Sequence, residues 1–431
     1  MSETGDEKQG LSRRGFLARA GGLMAAVAGA SLGVRPATDA IAGMKPGGSL
    51  ATEPFWGRHQ GGILTPMQNH TYFAAFDLVT ASRDDVIKML RAWTTTAARI
   101  TRGLPANLIG QARETRQADT GETLGLSPAR LTITVGFGAG LFTKNGQDRY
   151  GLAAHRPEAL VDLPRFNGDQ LVDAMTGGDL SVQACADDPQ VAFHAVRQLG
   201  LAANYVAQIR WAQIGFITRP SPKETPRNLM GFKDGTSNPS VTDPKAMEEF
   251  VWVGDEGPAW MRGGSYVVMR RIRMALEHWD RLALEYQEQT IGRQKTSGAP
   301  LGGKKEFDTP NLTATDKAGN RVIPDYSHVR IAMAENNDGA RVLRRPYSYN
   351  DGVNFNAEHW PPWHQGMEYD AGLLFICYQK DPRTGFIKIF DKMAKYDMMN
   401  QFVTHTGGGL FACPGGISEG EFIGQRLFES A

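Results

Sequence analysis

The sequence predicts an α+β chain built from two β-α-β-β-α-β units in tandem, the ferredoxin-like arrangement. Three observations lead there. Strand-like runs bracket helical periodicities in that order between residues 72 and 217. The theme starts again at residue 265. Fifty glycines and 23 prolines in 431 residues argue for many turns and long connections rather than a helical bundle.

Tyr72 to Thr80 reads as the first strand. Val86, Leu90, Trp93, Ala97 and Ile100 then recur at helical spacing. Leu131 to Val135 alternates strictly and reads as the second strand, and Leu180 to Ala186 as the third. Asp188-Pro189 opens a helix whose apolar face holds Val191, Ala195, Leu199, Ala202 and Val206. A proline in the first turn suits a helix start, where its missing N–H costs nothing. Ile209 to Ile217 closes the first unit. In the second, Ser265 to Met274 is a strand, and Leu276, Trp279, Ala283 and Tyr286 mark one helix. Gly372 to Gln379 is nearly all apolar, as a strand buried on both faces should be. Gly385 to Ala394 reads as a helix and Gly409 to Cys413 as a short last strand. Residues 292–327 are rich in glycine and lysine, a long excursion of the kind that carries function.

Charge excludes one class of partner. Forty-seven basic and 46 acidic residues leave a formal net charge of +1, with no long basic run, so nucleic acid is not expected. Cys185, Cys377 and Cys413 are far apart and odd in number. They predict neither a disulfide framework nor a thiolate cluster.

The amino terminus reads as an address. Ser12-Arg13-Arg14-Gly15-Phe16-Leu17 precedes a weakly apolar stretch, Gly21 to Val34, that ends in small residues near Ala40. It resembles a twin-arginine export signal and is too short for a membrane span. The expected division is a signal over 1–40, a first domain over 41–220 and a second over 221–431. Export would engage the twin-arginine translocation machinery and place the mature chain in the periplasm or outside the cell.

Three motifs carry chemistry. Gly231-Phe232-Lys233-Asp234-Gly235-Thr236-Ser237-Asn238-Pro239 holds one acid in a glycine-braced turn. Pro324-Asp325-Tyr326-Ser327-His328-Val329-Arg330 offers an imidazole. Val342-Leu343-Arg344-Arg345-Pro346-Tyr347-Ser348-Tyr349 offers an arginine pair. In this order and spacing they resemble the dye-decolourising peroxidases. His59 to Pro66 and Gly407 to Phe411 extend the likeness over about residues 50–425. The leader and flanking motifs are most similar to the exported deferrochelatase/peroxidase group found beside ferrous-iron uptake systems.

The resemblance implies two ferredoxin-like domains of the dimeric α+β barrel type, with one haem b (iron protoporphyrin IX) in the second. It implies that Asp234 moves the protons of hydrogen peroxide and that Arg344 supplies fixed positive charge, with Arg345 as the fallback because Pro346 departs from the usual glycine. It implies that Gly235, Thr236, Ser237, His328 and Arg344 contact the cofactor, that His328 is the proximal iron ligand, and that Asp381 is the carboxylate behind it. Asp381 reads equally well as a helix cap before Pro382. The expected reaction is oxidation of dyes, phenolics or other one-electron donors, with release of iron from intact porphyrin as the alternative. A non-catalytic haem carrier would not need an acid above the metal. Trp360, Trp363 and Tyr347 are candidates to relay electrons from donors too large to enter. Ferrous-iron uptake components are the expected cellular partners, and a homo-oligomer is left open.

Overall fold

The computed structural model describes residues 51–107, 119–219, 221, 224–354, 359–360, 363–364 and 368–430. The signal segment 1–40 lies outside them. The first half comprises β1 (His70–Leu78), α1 (Arg83–Ile100), β2 (Thr132–Phe137), the one-turn α2 (Ala139–Phe142), β3 (Leu180–Ala186), α3 (Pro189–Ala202) and β4 (Ala207–Phe216). The second comprises α4 (Pro244–Phe250), β5 (Ser265–Met274), α5 (Leu276–Trp279), α6 (Leu284–Ile291), α7 (His328–Ala332), β6 (Leu343–Arg344), β7 (Tyr347–Asn354), a small hairpin of β8 (His359–Trp360) and β9 (Trp363–His364), β10 (Glu368–Gln379), α8 (Phe386–Tyr396), β11 (Val403–Cys413) and α9 (Gln425–Glu429).

The strands of each half pair in the same pattern. In the first the order is β4-β1-β3-β2, and in the second β11-β5-β10-β7. Counted by order of appearance, both are 4-1-3-2. Two seams join them: Ala412 of β11 pairs with Phe137 of β2, and Phe216 of β4 with Ser348 of β7. With β10 also paired to β5, the sheet closes into an antiparallel barrel.

Period-two alternation sorts the side chains. Phe73 and Ala75 of β1 point into the barrel with Trp211, Met269, Ile376 and Phe411. Ala74, Phe76 and Leu78 point outward against α1 and α3. Helix α1 starts where Ser82 accepts the Asp85 N–H at 3.2 Å, and Asp84 and Asp85 suit the positive end of the helix. Its buried stripe holds Val86, Met89, Leu90, Trp93, Ala97 and Ile100. Helix α3 starts on Asp188, which accepts the N–H groups of Gln190 and Val191.

Two expectations about elements need correction. The single helix marked by Leu276 to Tyr286 is two helices, α5 and α6. Trp279 ends α5 and turns inward, with its indole N–H on the Met230 carbonyl at 3.1 Å. The last strand begins at Val403 rather than Gly409. Its polar start hides it: His405 is buried and accepts from Arg270 at 3.0 Å, which no apolar pattern announces.

Candidate active site

The acidic loop is braced from both sides. Asp234 donates its N–H to the Pro226 carbonyl at 2.9 Å. Gly235 has φ +123°, where a side chain would be strained. Glu306, from the long excursion, receives Lys233 Nζ and, at 3.0 Å, the Thr236 hydroxyl. Burial would raise the Glu306 carboxyl, but hydrogen bonds from Lys233, Thr225 and Thr236 bring it below the usual range. The excursion thus grips the residues flanking Asp234. Thr236 serves this grip, and Ser237 is exposed.

The arginine pair is divided by strand alternation. Arg344 points outward, and its Nη1 donates to Asp234 Oδ1 at 2.8 Å. Asn238 locks the two segments together: its amide donates to the Arg344 carbonyl at 2.7 Å and its oxygen accepts the Arg344 N–H at 3.1 Å. Arg345 points into the barrel, 3 % exposed, and donates to the Thr65 carbonyl and, at 3.1 Å, to Gln68 Oε1. Pro346 cannot donate to the ladder, yet the register of β6 and β7 against β10 runs on unchanged, with Arg344 opposite Cys377 and Tyr347 opposite Leu374.

His328 opens α7. Its Nδ1 lies 2.6 Å from Asp397 Oδ2, and the Asp397 side chain is 2 % exposed. This corrects the assignment of Asp381. Asp381 pairs with Arg383 at the start of α8, whereas Asp397 stands at the far end of that 11-residue helix. At 1.5 Å per residue the two ends of this helix are about 16 Å apart along the axis. The His328 segment meets the Asp397 end, where the Met398 N–H donates to the Tyr326 carbonyl at 2.9 Å. Asp397 also accepts the Met399 N–H at 2.8 Å, which fixes its orientation. Burial would lower the His328 pKa; the charge and hydrogen bond of Asp397 outweigh it and raise it. Arg344 and Asp234 act on the same imidazole in opposite senses, so the two motifs share one electrostatic neighbourhood.

The donor set fits haem. With Nδ1 committed to Asp397, the imidazole keeps Nε2 for a metal, the arrangement typical of a ligating histidine. One apolar cluster runs beside the acid and the imidazole: Phe232 precedes Asp234 by two residues, Val329 follows His328, and Met399 follows Asp397 by two. Leu373, Met274 and Phe402 complete it, a surface suited to a flat macrocycle. A cleft of about 200 Å³ opens beside Asp234, between Arg219, Thr225, Pro226, Asn238 and Pro346. That is below the size of a pocket for drug-sized ligands. Tyr347 is fully buried, with its hydroxyl 3.6 Å from Cys185 Sγ, so it is not a surface residue. The side chains of Trp360 and Trp363 lie outside the described residues.

Asp397, Glu306 and Asn238 were not singled out from the sequence. Asp397 left a signal: it is a lone acid between Tyr396 and Met398-Met399, at the end of an amphipathic helix. Glu306 left none, because nothing local distinguishes it in a polar excursion.

An imidazole backed by a buried carboxylate, an acid–guanidinium pair beside it and a closed barrel of two like halves define a haem-enzyme architecture. Residues 60–217 match the Dyp-type peroxidase N-terminal family and residues 225–418 the Dyp-type peroxidase C-terminal family. The chain belongs to the Dyp-type peroxidases and is a haem-dependent peroxidase. It is 37% identical over 458 aligned positions, covering 100% of both chains, to a dye-decolorizing peroxidase of Thermobifida fusca. It is 36% identical to a deferrochelatase of Escherichia coli K12, over 89% of each. The crystal structure of a DyP-type peroxidase from Streptomyces coelicolor matches with TM-score 0.80 and 42% identity, covering 90% of this chain and 100% of that one. Ferric DtpA from Streptomyces lividans matches with TM-score 0.79 and 42% identity, covering 88% and 97%.

Proposed function

We propose that this chain is an exported haem b peroxidase in which Asp234 and Arg344 act on hydrogen peroxide, with His328 holding the iron. The observation that carries this is the 2.8 Å pair between Arg344 and Asp234 in the electrostatic neighbourhood of His328. When bound, the haem supplies the redox chemistry that splits the O–O bond and oxidises the donor.

The residues do the rest. Peroxide must lose a proton at one oxygen and gain one at the other. Asp234 accepts the first proton and returns it to the departing oxygen. Arg344 holds positive charge where negative charge develops on that oxygen. It also fixes the Asp234 side chain in place through their 2.8 Å contact. Asp397 orients the His328 ring and makes it more electron-rich. The cleft beside Asp234 admits peroxide and not a dye, so large donors are oxidised at the surface.

Asp234→Asn tests the reading: stopped-flow mixing of the haem-loaded protein with peroxide should show a rate about 10²–10⁴-fold lower. An unchanged rate removes Asp234 from the reaction. The deferrochelatase relatives motivate a second assay, analysis of the tetrapyrrole after turnover. Free protoporphyrin would support iron release and service to ferrous-iron uptake; oxidised donor supports peroxidation.

Export rests on Arg13-Arg14 and the weakly apolar stretch behind them. Replacing both arginines with lysine should keep the protein in the cytoplasm, as fractionation would report.

A further inference from the structure

A second cluster of metal-binding side chains lies in the first half, away from the haem residues. Asp119, Glu122 and His194 each present one ligand atom, and these atoms fall within 4.8 Å of one another. His194 sits in the middle of α3 and is 2 % exposed. Its Nδ1 is 3.1 Å from Glu122 Oε1 and its Nε2 is 3.4 Å from Asp119 Oδ2. Neither approach has hydrogen-bond geometry, so both ring nitrogens are buried without such a partner among the described residues. That is uncommon for a core histidine and points to a ligand.

The carboxylates are held in place by other contacts. Asp119 accepts the N–H of Ala106 at 2.6 Å and that of Gly121 at 2.7 Å. Glu122 Oε2 accepts the Thr120 hydroxyl, which in turn accepts from Gln198. The only other charged group facing the cluster among the described residues is Arg197, at the rim, 3.4 Å from Glu122 Oε1.

We propose that Asp119, Glu122 and His194 form a site for a divalent cation of the zinc type, distinct from the haem centre. One imidazole and two carboxylates neutralise a doubly charged ion, and nitrogen with oxygen donors suits zinc. Bonds of about 2.0–2.1 Å in a tetrahedron put neighbouring ligand atoms about 3.3 Å apart, close to the 3.1 and 3.4 Å seen between these groups. Water would complete the fourth position. The cation would clip three stretches of chain together: the exit of α1 through Ala106, the 119–122 turn, and α3. Its role is structural, since its ligands belong to the half without the peroxide chemistry.

The test uses the mature, haem-loaded protein, stripped with chelator and dialysed against zinc chloride. Metal analysis should find one zinc per chain, and the melting temperature should rise with zinc. His194→Gln and Glu122→Gln should each weaken zinc binding at least about tenfold and remove the zinc-dependent rise. Both should keep the Soret band and the peroxide rate of the parent. Substoichiometric zinc in the parent, or variants that bind zinc as well as it does, would overturn the site and leave a buried cluster of His194, Asp119 and Glu122 without a cation. Should His194→Gln fail to fold, the partly exposed Glu122→Gln carries the test by itself.

Discussion

The two halves of the barrel share a strand order but differ in what covers the sheet. In the first half, the 18-residue α1 and the 14-residue α3 lie flat on it, and the space between is filled by Trp93, Leu90, Phe76 and Leu199. In the second half, α8 keeps the place of α3, with Phe386, Phe390 and Ala394 buried. The counterpart of α1 is broken into the short α5 and α6, and the chain then leaves on its excursion before returning as α7 with His328. The lesson is that a site can be made by breaking one helix of a repeated plan. Interior contacts that would have stabilised the fold give way to side chains around a cofactor.

That contrast makes predictions that can be broken, and the largest lies in the second half. His328→Ala should abolish iron ligation, and the absorption spectrum of the purified variant would show it as loss of the native Soret band. Asp234→Asn should retain haem and lose most of the peroxide rate. Arg344→Leu should follow it, while Arg345→Leu, which removes a barrel-interior contact, should lower stability and spare the peroxide step. The reverse ranking would mean that strand alternation has been misread.

In the first half the expected effects change character. Trp93 is 1 % exposed, and its indole donates to the Leu199 carbonyl at 2.8 Å, bridging α1 to α3. Trp93→Ala should cost about 3–5 kcal/mol in denaturant unfolding and leave the peroxide rate per bound haem unchanged. A matching loss of rate would mean that the halves are not separable in this sense. Glu306→Gln should have a smaller effect, a fall of up to about tenfold in the peroxide rate at normal haem content, because it loosens the loop and not the acid itself. The smallest effect concerns the thiols. Burial pushes Cys377 up to about 12 and Cys413 higher still, so iodoacetamide at pH 8 should label neither before unfolding.

Much of this was legible in the sequence where pattern and chemistry coincide. β3 and β5 appear with the bounds read from their residues; β3 alternates Leu180, Val182, Ala184 and Ala186 with Ser181, Gln183 and Cys185. Asp234, His328 and Arg344 lie in local motifs, and the structure brings the acid and the guanidinium into contact. What pattern could not supply is pairing across long sequence separations. Asp397 is 69 residues from His328, and Glu306 is 73 from Lys233. Asp381 was singled out by the family resemblance, but it stands ahead of α8, and only the far end of that helix meets α7. The start of β11 was hidden because Thr404, the buried His405 and Thr406 stand where apolar residues would normally mark a strand.

One consequence follows from how thinly the ring is stitched. Each seam between halves rests on one registered residue pair, whereas the ladder of β5 with β11 runs through ten. Cohesion across the seams must therefore come from shared interior side chains, and the peptide that runs from β4 to β5 is a tether. Nicking it at the exposed Ser240–Thr242 turn would leave two fragments still held by the same surfaces. They would part only on dilution, as the high local concentration that the tether provides is lost. In this respect the molecule is an obligate pair of partners that happens to be translated as one.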